Sequence, residues 1–129
     1  MKEIRVFYLD PKSNTAEERT ITDSLETFYE LIGCQLVEFA TRSIGRKRRY
    51  FDIICDEEGV FVDSPYISAI NEYGDPMLVG SLIIIGGADD EGELVGLTDN
   101  DIAYIKRFVH RLSTRNHPEE YPMLTCVNY

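Results

Sequence analysis

"MLVGSLIIIGGADDEGELVGL", residues 77–97, decides how this chain folds. Met77 to Ala88 is its most apolar run, and a continuous run of this kind suits a strand buried on both faces. Asp89-Asp90-Glu91-Gly92 interrupts it, and "ELVGL" beyond can pair back across that acidic turn. Thr98 follows as a helix N-cap, with Asp99 and Asp101 where the helix dipole favours negative charge. Leu97 and Ile102 fit the positions that staple such a start. Ile102, Ile105, Val109 and Leu112 predict one buried stripe. Lys106, Arg107, His110 and Arg111 bring positive charge to the C-terminal end.

Upstream, "EIRVFYL" (3–9) reads as a strand closed by Asp10-Pro11, and "RTI" (19–21) as a short return strand. A second helix, about three turns long, starts at Asp23, with Glu26 completing a capping box. Leu25, Phe28, Tyr29 and Ile32 form its apolar face, which has to lie on a sheet, and Gly33 suits its left-handed end. "CQLVEFATR" (34–42) and "RRYFDIIC" (48–55) read as a hairpin around Gly45. Residues 66–74 are too short in pattern to assign. Strands outnumber helices and are joined by short turns. The expected fold is therefore α+β: a mostly antiparallel sheet with two main helices packed on it. Residues 1–112 are expected to form a single domain and 113–129 a C-terminal extension, either a final strand or a tail.

The bulk numbers narrow the function. At 129 residues the chain can bury a core without a disulfide or metal staple. Its net charge of -10 works against binding a polyanion over most of the surface. No stretch reads as a signal peptide or a bilayer span, so the expected location is the cytoplasm, away from membranes. Cys34, Cys55 and Cys126 are widely spaced and odd in number, which points to small buried hydrophobes rather than disulfides or zinc.

Two features invite a functional reading. The first is the pair of acidic turns, Asp56-Glu57-Glu58-Gly59 and Asp89 to Gly92. Adjacent acids in extended chain point to alternate sides and lack the spacing of a calcium loop, so no metal is expected. Aspartate at the start and glycine at the close are what a hairpin tip requires. The second is the basic cluster Arg42, Arg46, Lys47, Arg48, Arg49, followed by Tyr50 and Phe51. In so acidic a chain it can contact phosphates and bases, an acidic protein, or the domain's own acids; it can also be a solvated hairpin whose charges deter edge pairing. Alternation allows only one of Tyr50 and Phe51 into the core from a given face. Phosphate-loop, nucleophile-elbow and zinc-protease motifs are missing from the sequence.

The order "SLETFYELIG", "LVEF", "DIICDEEG", "PMLVGSLIIIGGADDEGELVGLTDNDI" resembles the uncharacterised family catalogued as number 3846 among domains of unknown function. The resemblance spans roughly residues 3 to 110. It implies a fold and a setting in gut bacteria, phages and other mobile elements, but no activity. In that family the strand-turn motif usually reads Asn-Glu-x-Gly, with an asparagine further on. Here Asp56 holds the first place, and Asn71 corresponds to the later asparagine. Gly33-Cys34 stands where the family commonly has Gly-Gly. Taken together, the sequence reads as a protein-binding accessory factor without cofactor, with contact residues Arg46, Lys47, Arg48, Arg49, Asp56, Glu57 and Asn71. The alternatives are nucleic-acid binding or mimicry, and a small enzyme using Asp56 or Glu57 with Asn71 in a cleft.

Overall fold

The computed structural model describes residues 2–46, 48–61 and 63–127. Among them the order is β1 (Glu3–Asp10), β2 (Thr15–Thr22), α1 (Leu25–Ile32), β3 (Val37–Ile44), β4 (Tyr50–Asp56), a 3-10 turn (Gly59–Phe61), β5 (Ile67–Ile70), β6 (Pro76–Val79), β7 (Leu82–Ile85), α2 (Asp99–Arg107), β8 (Val109–Leu112) and β9 (Tyr121–Val127). The strands hydrogen-bond in the order β2-β1-β7-β4-β3-β9-β5-β6, with β8 also on β9. Every pairing is antiparallel except β5 with β9. This is the expected α+β architecture.

Side-chain alternation along the central strands builds two cores. On β7, Leu82 and Ile84 face one way, Ile83 and Ile85 the other, and all four are buried. Ile83 and Ile85 meet Ile4, Val6, Tyr8 and Ile54 beneath α1. Leu82 and Ile84 meet Phe7, Leu9, Phe51 and Ile53 beneath α2, together with Ala69, Leu78 and Leu124 from β5, β6 and β9. The sheet curls back over this second core: β1 touches β9 although three strands separate them in pairing order. Each fully buried isoleucine or leucine contributes about 1.5–3 kcal/mol, so this four-residue strand anchors both layers.

The apolar run that opens the decisive stretch is two strands, not one. Gly80, at φ 76°, turns the chain between β6 and β7. Left-handed backbone of this kind favours glycine.

The helices also differ from expectation at their ends. α1 is capped by Ser24, whose hydroxyl accepts from Thr27 N at 3.2 Å; Asp23 is not the cap, and the helix has eight residues. Gly33 closes it at φ 77°, donating to Tyr29 O at 2.8 Å. Phe28 is its buried residue, whereas Leu25 is exposed. In α2 the Thr98 cap forms a full capping box with Asp101. Leu97, Ile102 and Ile105 are buried, as the stripe requires. The helix ends at Arg107, however, and Val109 to Leu112 pair in β8 with Tyr121 to Leu124 of β9. Phe51 is buried and Tyr50 exposed, which is the choice alternation demanded.

Candidate functional site

The basic hairpin joins β3 and β4, with Ser43 opposite Tyr50. Its turn is pinned from within: Ser43 Oγ donates to Arg46 O, and Arg49 N donates to that same carbonyl at 3.4 Å. Gly45 sits at φ 70° under the ring of Phe108, where a Cβ would lie 2.5 Å from ring carbons. Arg49 folds back onto the domain. Its Nη2 donates to Asp101 Oδ1 at 2.9 Å, and its guanidinium lies 4.8 Å from the ring centre of Tyr104 and 5.2 Å from that of Phe51. Arg42 Nη1 donates to Thr41 O at 3.0 Å, and its buried Nε has no partner among the described residues. Arg46 and Arg48 are exposed, and Lys47 lies outside the described residues. Of the weighed uses of this cluster, contact with the domain's own acid is the one Arg49 makes.

The two acidic turns differ. Asp89 to Gly92 is a hairpin tip: Asp89 N donates to Glu93 O at 2.9 Å, Gly92 N to Asp89 O at 3.0 Å, and Ala88 bridges Leu94. Asp56 to Gly59 is a turn but not a hairpin tip. The chain leaves β4 through the 3-10 turn and reaches β5, which pairs with β6 and β9. In both turns the first aspartate accepts from the backbone two residues on, Asp56 from Glu58 N and Asp89 from Glu91 N, each at 2.9 Å. Among the described residues no group of three His, Cys, Asp or Glu side chains is placed to hold a metal.

Asn71 is buried and organises the β5–β6 turn. Its Oδ1 accepts from Tyr73 N and Asp75 N at 2.9 Å each, and its Nδ2 donates to Asp75 Oδ2 at 3.3 Å. Asp56 and Glu57 border a cleft of about 150 Å³ with Glu38, Cys55 and Met77. Asn71 lines neither this cleft nor the larger one that Asp56 also borders, so the structure does not assemble the suggested trio.

Burial explains the thiols. Cys55 is pushed up to about 12 by loss of solvent and then by Glu38; Cys126 reaches about 12 by burial, with Arg42 opposing. Cys34, partly exposed, is also raised, first by burial and then by Asp56.

Two larger concavities lie elsewhere, on the end of the sheet around the β1–β2 turn. One, of about 480 Å³, is bordered by Asp10, Asp56, Asp63, Ser64, Ser81 and the end of α1. The other, of about 400 Å³, is bordered by Asn116, His117, Glu119, Glu120 and Tyr121. Pro11, Lys12 and Tyr66 border both. The Tyr66 ring stacks on His117 at 3.7 Å between centroids and meets Tyr121 edge-on at 5.2 Å. His117 Nε2 donates to Ser64 O at 2.7 Å, and Tyr121 OH to Ile67 O at 2.8 Å. Asp10 is satisfied internally: Lys12 N, Ser13 Oγ and Ser81 Oγ donate to it at 3.2, 2.7 and 3.1 Å. Burial, and next the nearby Asp10 charge, raise the Tyr8 phenol, which donates to Leu31 O at 2.7 Å.

Of this end face, the sequence reading names Asp56 as a contact residue and misses the rest. Its walls come from residues 10–12 and 14, 31–33, 56, 59, 63–66, 80–81 and 116–121, so no local spacing marks it.

Neither a curated protein nor a solved structure is found to match this chain. A family model does, over residues 4–111, from β1 into β8 and short of β9. With that match covering most of its length, the chain belongs to the family described as Domain of unknown function (DUF3846).

Proposed function

We propose that this domain is an accessory factor that works by binding another protein. The observation that carries the reading is the end face, where two adjoining clefts share the Tyr66 wall. Rigid aromatic walls with polar rims are what protein-recognition surfaces use, because a fixed ring offers contact area at low entropic cost. Tyr66 is fixed in this way by His117 and Tyr121. Three of the polar residues named from sequence also have structural work. Asn71 holds its own turn, Asp56 caps the turn after β4, and Arg49 ties the hairpin to α2.

The test is selection of binding segments from a displayed library of protein fragments, followed by calorimetric titration of those enriched. Saturable one-to-one binding by segments that compete with one another is expected. No enrichment over a heat-unfolded control would end the proposal.

A further inference from the structure

We infer that the paired clefts on the end face take a basic, extended segment of a partner protein, laid across Tyr66. This rests on the protein-binding reading above and adds the chemistry of the partner. Five carboxylates border the two clefts: Asp10, Asp56 and Asp63 in the larger, Glu119 and Glu120 in the smaller. Lys12 is the one Lys or Arg among their described lining residues. None of the five acids is in an ion pair among the described residues.

Tyr66 gives the charge a place to act. A lysine or arginine can lay its methylene stem on a tyrosine ring and carry its cation to the carboxylates on either side. The net charge of -10 draws a basic segment in and works against a polyanion. It also opposes a second copy presenting its Arg46 and Arg48, since two bodies of the same sign would have to meet.

The experiment is titration of the isotope-labelled domain, followed by amide shifts, with a synthetic octapeptide alternating arginine and serine. A glutamate–serine octapeptide is the control. Two double variants remove equal charge: Asp56→Asn with Asp63→Asn in the cleft, and Asp90→Asn with Glu91→Gln at the distant hairpin tip. Asparagine at position 56 keeps the acceptor for Glu58 N, so the turn is preserved. The expected result is saturable shifts confined to the cleft walls, with Kd raised about tenfold by the cleft pair and less than about twofold by the hairpin pair. Tyr66→Leu is expected to weaken binding with the fold intact by amide dispersion. Equal weakening by both double variants, shifts on another face, or self-association through Arg46 and Arg48 would overturn the inference. Protein binding would then still stand if library-selected segments bind saturably. Failure of both assays would remove both.

Discussion

Arg49 Nη2 donates to one oxygen of Asp101 at 2.9 Å while the other oxygen accepts from Thr98 N at 2.9 Å, so one carboxylate clamps the basic hairpin to the first turn of α2. An exposed ion pair of this kind contributes about 0–1 kcal/mol, and a guanidinium over aromatic rings about 0.5–1 more. Arg49→Ala is therefore expected to lower stability by about 1–2 kcal/mol in urea unfolding. Arg46→Ala, at an exposed position, should change it by less than about 0.5 kcal/mol. Equal effects of the two would show that Arg49 is not a clamp.

Asn71→Ala removes the buried acceptor of Tyr73 N and Asp75 N, whose own side chains are exposed. A loss of about 1–3 kcal/mol is expected, read as a fall in the unfolding midpoint. If instead stability is unchanged and a bound partner is lost, Asn71 belongs to a site and not to the turn.

The thiols set an alkaline limit. Cys55 and Cys126 titrate near 12 in the folded chain, while the unfolded chain releases these protons near 9. A raised folded value gives stability that is full below pH 9 and is lost as pH climbs toward 12. The slope is about 1.4 kcal/mol per pH unit for each thiol within that window. Cys55→Ala with Cys126→Ala should flatten the decline. Iodoacetamide at pH 8 should label Cys34 before the other two, by mass spectrometry of the intact and digested protein.

A chain ended at Leu112 lacks β9, and with it the partner of β3, β5 and β8. It also lacks Tyr121, Met123, Leu124 and Cys126, all buried. Such a chain is expected to show no cooperative thermal transition. A sharp transition with dispersed amide resonances would show that residues 1–112 fold by themselves.

What could be read from the sequence was what is decided locally. Thr98 with Asp101, Gly33 after Ile32, the β-branched and aromatic run of β1, and the burial of Phe51 but not Tyr50 at the start of β4 each carry their cause within a few residues. The same local rules failed where distant chain intervened. Ile105, Val109 and Leu112 keep helical spacing, yet Val109 to Leu112 pair with β9, a partner no window around them contains. Asp23 and Ser24 are both good caps, and Asp23 instead lies 3.7 Å from Lys2 Nζ. The end face was least legible of all: Pro11, Tyr66 and His117 meet only because β1, β5 and the β8–β9 connection finish at the same edge.

The placement of β9 has a consequence for biosynthesis. Chains emerge from the ribosome N-terminus first and fold in the order their parts become free. Here the strand that bonds β3, β5 and β8 is made after the other described strands. Until it arrives, the growing polypeptide exposes the inner edge of β3 and one side of the second core. Those surfaces are candidates for chaperone capture, and the final closure should be the slow, sequence-distant step that sets the folding rate.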